Sequence, residues 1–172
     1  MGHHSLIATD AFRNVRGGYV LHFLRILRKC NNCSNSFLRI YYRWRLKKYR
    51  LRYGLEIPWD TKIGKGLYLG HAFNITINKD AVIGDFCNIH KGVVIGRENR
   101  GKRKGCPVIG NKVWIGINAA IVGAITIGDD VLIAPNSFVN VDVPSHSIVY
   151  GNPCIIKHCD DATKDYINNI NE

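Results

Sequence analysis

Two histidines sit where a chain of this kind could do proton chemistry. His71 follows Leu69-Gly70 and precedes Ile75, and His90 directly follows Ile89. An imidazole titrates near neutrality, so it can take a proton from a hydroxyl and return it. Spacing alone favours a plainer reading, a surface histidine making an incidental hydrogen bond. A second group suits an anionic ligand. Arg97–Lys104 holds five basic residues against Glu98. Such a loop can steer and cover phosphates, and it can equally be ordinary solvated surface. Cys30-Asn31-Asn32-Cys33 supplies half of a zinc knuckle, but no second CxxC pair or HxxxH follows, and Cys154 and Cys159 are spaced too widely. No metal is therefore predicted. A metal-dependent hydratase would need a third histidine near His71 and His90, and none is there.

The elements that must position these groups are read from a period of six, kept from Ile57 to Gly151. Every sixth residue is aliphatic: Ile63, Leu69, Ile75, then Ile77, Ile83, Ile89, Ile95, then Ile109, Ile115, Ile121, Ile127, Ile133, Val139. A second column runs through Leu67, Phe73, Ala81, Cys87, Val93, Val113, Ala119, Ile125, Val131, Ser137 and Val143. A helix needs a period near 3.6 and a half-buried strand needs 2, and six fits neither. It fits short flat strands joined by tight turns, coiled into a parallel β-helix. The column shifts by two residues at Ile75–Ile77, so the turn beside His71 is irregular. Residues 97–107 break the register and should leave the prism as a loop.

Ahead of the prism, Tyr19–Lys29 and Phe37–Tyr53 read as helices, with Leu38, Tyr41, Tyr42, Arg45 and Tyr49 expected on the buried side of the second. Ser34 or Asn35 suits its N-cap and Gly54 its end. Residues before Gly17 are weakly patterned and are expected to pack loosely. Thr163–Asn169 reads as a short terminal helix. The division expected is 1–54 helical, 55–157 prism, 158–172 tail.

The net charge of +11 is unevenly placed: residues 1–55 hold twelve Lys/Arg and one acid, Asp10, whereas 56–172 hold twelve of each sign. No uncharged apolar run is long enough to span a membrane and no signal peptide is visible, so a cytoplasmic protein with free thiols is expected. Basic and aromatic residues interleave over 39–53, but no nucleic-acid motif supports nucleic-acid binding. A helical cap with its charge in water is one reading of that segment. Peripheral contact with an anionic membrane is the other.

The string Leu55-Glu-Ile-Pro-Trp-Asp-Thr-Lys-Ile-Gly-Lys-Gly-Leu-Tyr-Leu-Gly-His71-Ala resembles the opening coils of serine acetyltransferases, within the hexapeptide-repeat acyltransferases. The resemblance continues through His90-Lys-Gly-Val-Val-Ile-Gly96, the basic loop, Pro107-Val-Ile-Gly-Asn-Lys-Val-Trp-Ile-Gly116 and Val149-Tyr-Gly-Asn-Pro153. It implies a mainly β, left-handed prism, a homotrimer with clefts between neighbours, and acetyl-CoA as co-substrate. His71 falls where the family has its general base and Glu56 where it has the orienting carboxylate, with Asp60 in reserve. His90 gains no role from the match. For the cofactor, the resemblance implicates Gly96, Ile117 and Pro135 along the pantetheine arm. Lys102 and Arg103 of the loop, and Lys157 after Gly-Asn-Pro, suit its phosphates.

Three departures bear on the acceptor. Gly70, Gly105 and Cys106 stand where the family keeps a carboxylate, an arginine and a histidine. A sugar hydroxyl of a polysaccharide precursor is therefore expected as acceptor. Serine, as in cysteine biosynthesis, is the alternative, and an inert β-helix scaffold is the alternative of another class.

Overall fold

The computed structural model describes residues 3–15 and 18–170. Three helices come first: α1 (His3–Arg13), α2 (Gly18–Asn31) and α3 (Ser36–Tyr53). The strands are short, β1 (Leu55–Glu56), β2 (Lys62–Ile63), β3 (Tyr68–Gly70), β4 (Ile75–Ile77), β5 (Val82–Ile83), β6 (Asn88–His90) and β7 (Val94–Gly96). After the loop come β8 (Val108–Ile109), β9 (Trp114–Ile115), β10 (Ala120–Val122), β11 (Thr126–Ile127), β12 (Val131–Ile133), β13 (Phe138–Val139), β14 (Ser147–Tyr150) and β15 (Ile155–His158). They stack into three parallel sheets. The first face runs β1-β4-β7-β10-β13, the second β2-β5-β8-β11, and the third β3-β6-β9-β12-β14, with β15 closing it antiparallel. This is a left-handed β-helix prism.

The aliphatic column fills the interior. From Leu69 to Val139 every member is buried, and Ile63, in the first coil, is half-buried. Each inward side chain rests on the one a coil below, which removes apolar surface from water along the whole axis. Cys87 lies in this core, where burial pushes its thiol up to about 12. Phe73 departs from the expected second column: it is exposed, and Ala72 is buried in its place.

The cause is visible in the backbone. Lys91 N–H donates to the Gly70 carbonyl and the next amide, Gly92 N–H, donates to that of Phe73. Two consecutive residues of one coil thus span four of the coil below. His71 and Ala72 are the two extra residues, bulged from the corner between the third and first faces. His71 has φ 51° and Asn74 φ 54°, which turn the chain sharply there. The register shift read from Ile75–Ile77 is this corner, and both isoleucines lie inward on β4.

The N-terminal segment is more firmly held than its weak patterning suggested. α1 runs from His3, and its Asp10 is buried against Arg28 of α2 at 2.8 Å while accepting from Leu67 N–H. Arg28 also donates to Ile63 O, and buried Arg13 donates to Gly66 O and Asn88 Oδ1. One acid and two guanidiniums thus tie both helices to open prism carbonyls, a pattern that hydrophobic periodicity does not register. α3 begins at the Asn35 cap, whose side chain accepts from Phe37 and Leu38 N–H, and ends at Gly54 with φ 65°. Leu38 and Tyr41 were expected on its buried side but are exposed; Leu46 is the buried residue, with Tyr42 and Tyr49 partly covered. The expected terminal helix is replaced by turns over 161–166. Asp130 pins that tail by accepting from Ala162 N–H, Thr163 N–H and Thr163 Oγ1–H, so its backbone groups are satisfied without a helix.

Candidate active site

A cavity of about 850 Å³ opens on the third face at β3, β6 and β9. The end of α1, the start of α2 and the tail form its other walls. Tyr68, His71, His90, Trp114 and Tyr166 line it.

Backbone register brings the two histidines together. β3 pairs with β6 so that Gly70 faces His90, and His71 is the next residue. The His90 ring lies over Gly70: a Cβ built there would be 2.3 Å from Cδ2 and 2.5 Å from Nε2. His90 Nδ1 is 3.0 Å from the Ile115 carbonyl. A carbonyl only accepts, so Nδ1 carries the proton and Nε2 of the neutral ring holds a free lone pair. Trp114 packs against the ring at a centroid distance of 4.6 Å. Burial pushes the His90 pKa below its ordinary value, outweighing the raising effect of the Ile115 bond, and His71 lowers it further. The fold thus presents His90 as a neutral acceptor with a fixed tautomer. His71 is exposed on its bulge and makes no hydrogen bond among the described residues.

Glu56 is placed differently from the expected dyad. It lies on β1 in the first face and its Oε1 accepts from Arg50 Nε at 2.7 Å. No hydrogen bond joins it to His71. Asp60 is exposed in the turn before β2.

The cofactor candidates fall in three places. Ile117 and Pro135 occupy successive corners above His71, between the third and first faces. The amides of Gly92, Asn118 and Asn136 link those corners, donating to Phe73, Lys91 and Ile117 carbonyls. Gly96 ends β7 at the far side of the first face. Lys102 and Arg103 are beside it in a loop that bridges Glu98 to Gly105 and lies back on that face, with Arg103 donating to Asn140 O. Lys157 is exposed on β15, with its Nζ 5.8 Å from the Tyr150 ring centroid. Gly105 is pressed against Ala124, and Cys106 Sγ contacts Asn78 Oδ1 at 3.3 Å. All six cysteines are free. Among the described residues no group of three or more His, Cys, Asp or Glu is placed to hold a metal ion.

The aromatic walls were legible but unread. Tyr68 and Trp114 each precede a column residue and stand two coils apart in one outward row. Arg13 and Tyr166 come from outside the repeat, so periodicity does not place them.

Residues 106–140 match the bacterial transferase hexapeptide (six repeats) family. A serine acetyltransferase of Helicobacter pylori (strain ATCC 700392 / 26695) is 39% identical over 99 residues, covering 58% of this chain and 58% of that protein. Serine acetyltransferase 2 of Arabidopsis thaliana is 30% identical over 175 residues, 94% of this chain and 53% of that one. The chain is therefore similar to hexapeptide-repeat transferases of the serine acetyltransferase type. Among solved structures, the soybean serine acetyltransferase apoenzyme superposes with TM-score 0.73 at 26% identity, covering 90% of this chain and 69% of that one. The Neisseria gonorrhoeae enzyme in complex with serine gives TM-score 0.75 at 26% identity, with coverages of 90% and 69%. The chain spans about half the length of the curated relatives it matches.

Proposed function

We propose that this chain transfers an acetyl group from acetyl-CoA to a hydroxyl in the cavity that holds His71 and His90. The observation that carries the reading is the pair itself: two imidazoles on adjacent coils at one mouth, on a prism similar to acetyl-transferring proteins. An imidazole nitrogen takes the hydroxyl proton as the oxygen attacks the thioester carbonyl. The tetrahedral intermediate collapses, the C–S bond breaks, and the imidazolium returns the proton to the departing CoA sulfur. No acyl-enzyme is needed, which suits the inert Cys87. The resemblance assigns the base to His71. It also assigns the orienting role to Glu56, which would have to exchange Arg50 for His71. His90 is the second imidazole of the site and stands ready to accept a hydrogen bond at Nε2. The pantetheine arm would follow the corner amides near Ile117 and Pro135, with Gly96, Lys102, Arg103 and Lys157 toward the phosphates. Flat prism faces suit a homotrimer, in which a neighbour would complete the cleft.

L-Serine is the acceptor the comparisons favour, because the relatives named above are serine acetyltransferases. A sugar hydroxyl is supported by one observation at the site. His90 fills the volume a side chain at position 70 would need, so the carboxylate the family keeps there is sterically excluded. A thiol-release assay with acetyl-CoA decides between them. O-Acetylserine formation supports serine, release only with sugar hydroxyls supports the second reading, and no release with either overturns acetyl transfer.

A further inference from the structure

The surface of α3 turned away from the prism carries its own signal. Phe37, Ile40, Tyr41, Trp44, Lys48 and Leu51 follow the spacing i, i+3, i+4, i+7, i+11, i+14, which is one helical stripe. The opposite stripe, Tyr42, Leu46, Tyr49 and Tyr53, packs on the core. A helix seated on a globular core normally turns polar residues outward. Here Phe37 is 85% exposed, Leu51 77%, Ile40 62% and Trp44 52%. At 1.5 Å per residue the stripe is about 20 Å long. Arg43, Lys47 and Arg50 flank it on one side and Arg45 and Arg52 on the other. Between Asp10 and Glu56 the sequence has no acid at all. Of the cations on α3, Arg50 is the one with an ion pair among the described residues, to Glu56. Lys48 instead lies 3.7 Å from the Trp44 ring centroid, its charge set at the edge of the apolar stripe. On the Arg43 side the stripe runs into a groove of about 690 Å³ between α3 and the first coil, floored by Leu46, Leu55 and Ile57.

We propose that this face of α3 docks on the surface of an anionic phospholipid bilayer, with the helix lying in the interfacial plane. Its partner must offer apolar depth for Phe37, Ile40, Trp44 and Leu51 and negative charge for the flanking cations. A bilayer with acidic headgroups offers both at the right depth: the ring-and-aliphatic stripe enters the headgroup boundary while the guanidiniums and ammoniums stay at the phosphates. A second copy of the same face would bring like charges together with no acid to offset them. A nucleic acid would satisfy the charge but has no seat for Ile40 and Leu51. Among the described residues no helix is long and apolar enough to cross a membrane, and the contact proposed is a peripheral one. The inference is independent of acetyl transfer.

The test is co-sedimentation of the full chain with vesicles of phosphatidylcholine alone and of phosphatidylcholine with phosphatidylglycerol. The anionic vesicles should bind at least about tenfold more protein at low salt, and salt should reduce binding without abolishing it. Trp44→Ser with Leu51→Ser should remove the salt-resistant part, and Arg43→Gln with Lys47→Gln should remove most of the rest. These positions are exposed, so melting temperature and oligomeric state should stay unchanged. Equal binding to neutral and anionic vesicles overturns the proposal. So does a change of oligomeric state in the serine variant, which would make the face an interface between copies. Binding to single-stranded DNA that survives the serine substitutions, without vesicle binding, would assign the charge to nucleic acid instead.

Discussion

Gly70 and His90 occupy one volume: the backbone of the first leaves the space that the ring of the second fills, with His90 Nδ1 tied to Ile115 O. Any side chain at position 70 must displace the imidazole. Gly70→Ala should destabilise the prism by about 1–3 kcal/mol, as overpacked sites do. His90→Ala in the same chain should recover most of that loss, because the ring is what the new methyl meets. Additive losses in a thermal-melt double-mutant cycle would show that the two do not share the space.

Acid should act on the fold through the same ring. His90 binds its proton less readily in the folded chain than in the unfolded one, because burial opposes the charge. The unfolded chain therefore takes up a proton first as pH falls through the ordinary imidazole value of 6.5. The stabilisation from neutral His90 is fully present above that value and is lost below it. His90→Asn, which can still donate to Ile115 O, should flatten the fall of melting temperature between pH 6.5 and more acid conditions. An unchanged slope would mean that other groups carry the acid sensitivity.

The loop gives a third prediction. If Lys102 and Arg103 meet cofactor phosphates, neutralising them together with Lys104 should raise KM for acetyl-CoA and leave kcat nearly unchanged. The effect should shrink with salt, since exposed charges are screened over about 8 Å at physiological ionic strength. An unchanged KM at low salt would leave the loop as solvated surface folded on the first face.

The prism was legible because its signal is repeated. Each of thirteen aliphatic positions reports the same inward direction, so Leu69, Ile89 and Ile115 could be placed without knowing the contacts around them. The loop at 97–107 and the irregular corner at His71 were legible as breaks in that repeat. Phe73 was misplaced because a two-residue bulge reverses which of Ala72 and Phe73 points inward, and the period shows only that a shift occurs. α1 was missed because its hold on the prism is polar, through Asp10, Arg13 and Arg28. The outward face of α3 was misjudged because both of its stripes are aromatic, so composition could not say which packs on the core. Glu56 was expected to orient His71 from its place in the resemblance, whereas here its carboxylate accepts from Arg50 on the last turn of α3.

The roles of the two histidines separate by kinetics. His71→Ala should lower acetyl transfer by about 10²–10⁴-fold with CoA binding and assembly intact. Glu56→Gln should lower it less. Near-wild-type transfer in His71→Ala together with a large loss in His90→Asn would move the base to His90.

The most direct measurement is thiol release from acetyl-CoA by the purified full chain, in the presence and absence of a hydroxyl acceptor. Acetyl transfer predicts release that requires the acceptor, saturates with acetyl-CoA and disappears in the His71→Ala, His90→Asn double variant. Absence of acceptor-dependent release with both serine and a panel of sugar hydroxyls, and no shift of melting temperature with CoA, would contradict it and leave the prism as a scaffold.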